Sequence, residues 1–247
     1  HLLRANEHDE GGAHGYDITL GDDLATVPYL LHLAGYYQSF MLGHNPNFAG
    51  TNVFLAQERY DEALYAEKLL PPEECDKEQW GMRDRRLFEF AAKRFDELAA
   101  AGQPFALTVL TIDGHNPSGF VEPDGPVYRR KGQPELQILT ALHATDQHLG
   151  KFIEHLKQSP AWKDTVVVAS SDHLSRATAV SPIVMANPRR RLITFALNTG
   201  TRGVLDEHGK TFDLAPTILA LLGVEHNGEF LLGENLLDSP NPRRLRG

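Results

Sequence analysis

Residues 84–117, DRRLFEFAAKRFDELAAAGQPFALTVLTIDGHNP, decide how this chain folds. After Asp84, the residues Leu87, Phe88, Phe90, Ala91, Phe95 and Leu98 recur at the spacing that lines one face of a helix. Gly102 supplies the stop, because glycine enters the left-handed conformation that ends a helix without a steric cost. Phe105 to Ile112 is then a near-continuous apolar run, the pattern of a strand covered on both faces. Its end is marked by the turn formers Asp113-Gly114-His115-Asn116-Pro117.

The same unit recurs on either side. Upstream, Asp22-Asp23 is read as the cap of a helix through Leu24, Val27, Leu30, Leu31 and Ala34 closed by Gly35, with Pro28 weighing against it. Tyr36 to Leu42 follows as a buried strand, and Gly43-His44-Asn45-Pro46-Asn47 as its loop. Downstream, a helix from about Glu135 to Lys157 leads to the strand Thr165–Ala169, which ends in Ser170-Ser171-Asp172-His173. A strand at Leu192–Leu197 and a helix from about Leu214 to Leu222 complete the pattern. Apolar strands alternating with helices predict an α/β fold, a mostly parallel sheet with helices on both faces. Residues 1–20, polar and without period, are expected to be an irregular lead-in, residues 21–237 one domain, and residues 238–247 a polar tail.

Composition narrows the function classes. The chain has 247 residues with 24 Lys+Arg and 33 Asp+Glu, a formal net charge of −9. That balance argues against non-specific nucleic-acid binding, which needs clustered cations to displace counterions, and Arg189-Arg190-Arg191 is too short to reverse it. With 41% hydrophobic and 23% charged residues it can build a full core. No run approaches a membrane span, and the first residues lack a signal-peptide layout. Either the protein is cytosolic or its targeting segment lies outside this chain. Cys75 has no second cysteine to pair with and stands among carboxylates that disfavour its thiolate, so it reads as an inert surface thiol.

In an open parallel sheet, ligands sit beyond the carboxyl ends of the strands. Three loops there carry candidate side chains. Asp172 and His173 end a β-branched strand, and a carboxylate with an imidazole is half of a Zn²⁺ or Mn²⁺ site. Alternatively, Asp172 caps the next segment and His173 is an ordinary loop histidine. His115 has the position and chemistry for a general acid or base, or for donating to an anionic substrate. A solvated turn histidine fits as well, and Asp113 is expected to order the turn through its own backbone. His44 and Asn45 are suited to bind a substrate head group, although asparagine and glycine also build any tight loop. No glycine-rich phosphate loop or nucleophile elbow is present.

Taken together, several strings resemble the alkaline phosphatase/sulfatase superfamily. They are Phe48-Ala49-Gly50, Trp80-Gly81-Met82-Arg83-Asp84, Leu110 to Phe120 with its Thr-Ile-Asp-Gly-His-Asn-Pro core, Ser171-Asp172-His173-Leu174, and Phe212-Asp213-Leu214-Ala215-Pro216-Thr217. The long His115 string and the Phe-Ala-Gly loop are most similar to the periplasmic phosphoglycerol transferases that decorate osmoregulated glucans, with lipoteichoic acid synthases as more distant relatives. The resemblance implies that Asp172 and His173 ligate one divalent metal, Mn²⁺ ahead of Zn²⁺ or Mg²⁺. It implies that His115 contacts the transferred phosphoglycerol, which comes from a lipid-derived donor and goes to a glucan acceptor. It also implies a threonine nucleophile and a further acidic ligand, neither of which has a candidate in residues 1–20. On this basis the chain is expected to be the C-terminal two-thirds of a catalytic domain from a membrane-anchored enzyme on the periplasmic side of a bacterial inner membrane. Lipoteichoic acid synthases carry aromatic and basic substrate contacts where this chain has Ala49 and Thr51, a departure from their pattern. A sulfatase, phosphodiesterase or phosphoethanolamine transferase of the same superfamily is the alternative enzyme, and a non-catalytic domain that binds glucan or an anionic head group is the alternative of another class.

Overall fold

The computed structural model describes residues 3–7, 16–20, 25–75, 81–129, 131–132, 135–176, 178–187, 190–205, 209–226, 230, 232–238 and 245–246. At its centre β3 (Tyr37–Leu42) runs parallel to both β5 (Phe105–Leu110) and the short β4 (Glu62–Leu64), in the order β4-β3-β5. Side chains alternate across this sheet. Met41, Leu64, Leu107 and Val109 pack with Leu87 and Ala91 of α4 (Asp84–Ala101), and with Ala66 of α3 (Ala66–Leu69). On the other face Phe40, Leu42 and Leu110 meet Leu55 of α2 (Thr51–Gln57). There Ala106 packs with Leu30 and Leu31 of α1 (Val27–Leu33) and Leu219 of α7 (Leu214–Leu222). Helices therefore cover both faces, and α5 (Gln137–Gln158) lies outside against α4. Each fully buried leucine or methionine in these layers contributes roughly 1.5–3 kcal/mol through removal from water.

Local chemistry explains most boundaries. The α4 helix starts at Asp84 and ends on Gly102, whose φ of 73° is left-handed, as its sequence predicts. In α1 the cap is Thr26, whose side chain accepts from the Tyr29 amide, and Pro28 stands in the first turn where its missing N–H costs nothing. Asp22 and Asp23, expected to cap this helix, lie outside the described residues. Pro216 is likewise accommodated near the start of α7, after Asp213 accepts from the amides of Lys210 and Glu234.

Four expectations are corrected. The strands β6 (Val167–Ser170) and β7 (Thr194–Leu197) pair antiparallel rather than parallel, and among the described residues between them the one helix is the five-residue α6 (Ser181–Met185). The lead-in expected to be irregular holds two antiparallel strands, β1 (Leu3–Glu7) and β2 (Tyr16–Leu20). Within the polar tail, β9 (Leu245–Arg246) pairs with β8 (Val204–Leu205), a backbone ladder that needs no apolar side chains. Cys75 is half-buried rather than on the surface, with Sγ 3.6 Å from the Ala66 carbonyl oxygen.

Candidate active site

Three segments converge at the carboxyl ends of β3 and β5: Gly43-His44, the approach to α4 at Gly81–Asp84, and Ile112–Phe120. The first two touch through backbone alone, the Met82 amide donating to the Gly43 carbonyl at 2.8 Å. A Cβ at Gly43 would stand 2.5 Å from the Met82 oxygen. At Gly81, where φ is 103°, it would stand 2.2 Å from the Gly43 oxygen. Both positions therefore require glycine.

The second and third segments are locked by two aspartates that exchange hydrogen bonds. Asp84 does not cap its own helix. Its carboxylate accepts from the Ile112 amide at 2.8 Å, the Asp113 amide at 3.3 Å and the Thr145 hydroxyl at 2.6 Å. In return, Asp113 accepts from the Asp84 amide at 2.9 Å and from Arg83 at 3.1 Å. Asp113 thus ties its turn to the start of α4 through its side chain, while its backbone carbonyl closes the turn by accepting from the Phe120 amide. Burial pushes both carboxyls upward; for Asp113, burial and then the Asp84 charge raise it to about 7, against the lowering effect of Arg83. Arg83 also donates to the Gly81 carbonyl at 3.1 Å and lies 4.2 Å over the Phe120 ring.

This scaffold presents His115 at the surface. Its turn is closed by the His115 amide on the Ile112 carbonyl at 2.9 Å and the Gly119 amide on the His115 carbonyl at 2.9 Å, around a cis Asn116–Pro117 peptide. The ring Nδ1 is 2.8 Å from the Asn116 carbonyl oxygen. Because a carbonyl only accepts, Nδ1 carries the hydrogen and proton exchange falls to Nε2. His44 is half-buried with its ring edge-on to Phe48 at 5.8 Å. Burial, and then the nearby His115, lower its pKa from 6.5, so His44 is neutral at pH 7. The structure therefore brings these two histidines to one site. Asn45 stands beside them, its amide group donating to Glu67 at 2.8 Å and its Oδ1 accepting from the Asn47 amide at 2.9 Å.

Asp172 and His173 follow β6 and are both exposed. The His173 amide donates to Asp172 at 2.8 Å, and His173 Nδ1 faces the Leu174 carbonyl at 2.9 Å. His173 Nε2 lies 3.4 Å from Asp172 Oδ2. Two acceptors so close suit a cation held in common. Their separation matches the edge of about 3.4 Å between two ligands bonded at about 2.1 Å to one tetrahedral ion. Among the described residues no third histidine, cysteine or carboxylate joins them. The donor set therefore fits a divalent metal as two of its ligands.

Sequence reasoning missed Arg83, Asp84 and Thr145 as parts of the site. The available signal was a threonine on the α4-facing side of α5, where an apolar residue is expected.

Comparison with known proteins shows the family and the fold. The family model described as Sulfatase matches residues 3–224. Phosphoglycerol transferase I from Citrobacter koseri is 32% identical over 213 residues, covering 84% of this chain and 27% of that protein. Phosphoglycerol transferase I from Salmonella paratyphi B is 32% identical over 214 residues, with the same coverage of 84% and 27%. The chain thus spans about a quarter of the length of these relatives. Two solved structures share the fold at 21% identity. An alkaline phosphatase superfamily protein from Vibrio parahaemolyticus has a TM-score of 0.71 and covers 91% of this chain and 53% of its own. The lipoteichoic acid synthase LtaP from Listeria monocytogenes has a TM-score of 0.72 and covers 86% of this chain and 56% of its own. The chain belongs to the Sulfatase family and carries the fold of the alkaline phosphatase superfamily.

Proposed function

We propose that the chain is part of a phosphoglycerol transferase that moves phosphoglycerol from a phosphatidylglycerol-type lipid, or a carrier charged from it, to a periplasmic glucan. The observation that carries this reading is the 32% identity to phosphoglycerol transferase I over 84% of the chain. The arrangement of His44 and His115 is what a phosphodiester substrate needs. His115 Nε2 donates to a phosphoryl oxygen when protonated and takes a proton back when neutral. His44, kept neutral, binds the head group through hydrogen bonds without adding charge.

The attacking threonine is assigned to a part of the protein outside residues 1–247. In the first transfer its oxygen forms a bond to phosphorus as the bond to the diacylglycerol oxygen breaks, and diacylglycerol leaves with the proton. A glucan hydroxyl then attacks the same phosphorus and returns a proton to threonine. Asp172 and His173 would hold one divalent ion, Mn²⁺ first and Zn²⁺ or Mg²⁺ with the same donors, which when bound supplies positive charge against the phosphoryl oxygens. We place the intact protein at the periplasmic face of an inner membrane. No described helix is long and apolar enough to cross a membrane.

The test uses the full-length protein with labelled phosphatidylglycerol and glucan. His115→Ala is expected to lower transfer by roughly 10²–10⁴-fold, the range for loss of a general acid or base. A folded, Mn²⁺-loaded protein that transfers no phosphoglycerol refutes the reading and favours head-group binding without turnover. Unchanged Mn²⁺ affinity in Asp172→Ala and His173→Ala refutes the ligand assignment.

A further inference from the structure

The interlock of Asp84 and Asp113 has no part in the reading above, yet it holds the turn that presents His115. All its members converge on one junction. Asp84 fastens the amides of Ile112 and Asp113, Thr145 of α5 fastens Asp84, and Arg83 joins Asp113 to the Phe120 end of the turn. The Phe120 amide donates to the Asp113 carbonyl at 2.8 Å, so a shift of Asp113 is transmitted across the whole turn.

We propose that Arg83, Asp84, Asp113 and Thr145 form a proton-dependent positioning device that sets His115 opposite His44. The proposal rests on the phosphoglycerol-transfer reading only for what His115 does once positioned.

The charged groups facing the pair fix the direction of its pH response. They are Arg83, just before α4, Glu122 beyond the turn, and His148 of α5. Two buried carboxylates share a single close guanidinium, so the closed turn favours a proton on the pair. Asp113 has a raised pKa of about 7 in the closed turn against 3.8 when exposed. A closed state that binds the proton more tightly is stabilised at low pH and loses that stabilisation as pH rises towards 7. The device is therefore tightest in mild acid and loosest at and above neutrality.

Hydrogen exchange of the 112–120 amides in the full-length protein, corrected for intrinsic exchange, reads this directly. Opening of the wild-type turn is expected to increase between pH 5 and 7 by up to about tenfold per unit, then level off. Asp113→Asn keeps an acceptor for the Asp84 amide but removes one of the two titrating carboxyls, and its opening should rise less steeply with pH than that of the wild type. Thr145→Val, which removes the hydroxyl on Asp84, should increase opening roughly tenfold or more, and Thr145→Ser should restore it. The 37–42 amides of β3 should not change, which separates positioning from general loosening. A wild-type turn that follows intrinsic exchange alone, or a Thr145→Val turn within twofold of wild type, overturns the proposal. Absence of phosphoglycerol transfer by the wild type would instead refute the proposed function, and the exchange data decide the positioning claim on their own.

Discussion

Replacing Gly81 by alanine tests the claim that the site is assembled through backbone contact. The first cost is conformational, since φ of 103° is left-handed and an L side chain there loses about 1–2 kcal/mol. The second is steric. The new Cβ would stand 2.2 Å from the Gly43 carbonyl oxygen, and no rotamer change relieves a clash between backbone and Cβ. Parting the two segments costs about 1–3 kcal/mol, comparable to overpacking a core, and stretches the 2.8 Å bond from the Met82 amide to Gly43. The sum is about 2–5 kcal/mol, a fall in melting temperature of roughly 4–20 °C for a chain of this size. Gly102→Ala is the matched control. Its φ is also left-handed at 73°, but nothing lies within 4 Å of the added methyl, so only the conformational cost of about 1–2 kcal/mol is expected. Thermal unfolding followed by circular dichroism compares the two. If they unfold within about 2 °C of each other, the contact between Gly43 and Gly81 does not hold the site together.

Leu87→Ala removes a side chain that is 0% exposed between α4 and the sheet, and should cost about 2–5 kcal/mol in chemical unfolding. His148 is 7% exposed on α5, and burial lowers its pKa from 6.5. Its unfolded form therefore binds protons more readily, and its contribution to stability, complete above pH 6.5, declines below that value by at most about 1.4 kcal/mol per pH unit. His148→Leu should flatten the fall in stability between pH 6.5 and 5 measured by urea unfolding, while the protonation of Asp113 works in the opposite sense over the same range.

The central strands are legible in the sequence because β3 and β5 are apolar runs of ordinary length, each bounded by turn residues. What escapes is what depends on partners. The strand β4 is only Glu-Ala-Leu, with two poor strand formers, and exists because it pairs with Ser39–Met41 while Arg94 of α4 holds Glu62 at 2.6 Å. The direction of β7 escapes because an apolar run reads the same in either sense. Alternation with helices suggests a parallel crossover, whereas the described residues of 171–193 contain one short helix. Within the site, His44 and His115 are visible because they directly follow strand ends. The bonds between Asp84 and residues 112, 113 and 145 span 28 to 61 positions, and no local spacing announces them.

These observations assign α4 a role that its amphipathic pattern does not suggest. At its start, Asp84 and the preceding Arg83 fasten the turn of His115, and Gly81 fastens the loop of His44. Towards its other end, Phe95 meets Phe105 edge-on at 5.5 Å and Arg94 binds Glu62, which ties the same helix to the amino ends of β5 and β4. A helix pinned at both ends of a parallel sheet transmits a change in packing to the site instead of absorbing it. Leu87 lies one turn from Asp84, so a cavity there should disturb His115 before the sheet itself unfolds. The exposed pair Asp172–His173, on a separate antiparallel ribbon, shares none of these fastenings. Loss of its carboxylate or its imidazole should therefore leave folding nearly unchanged while removing one of the two donors proposed for the metal.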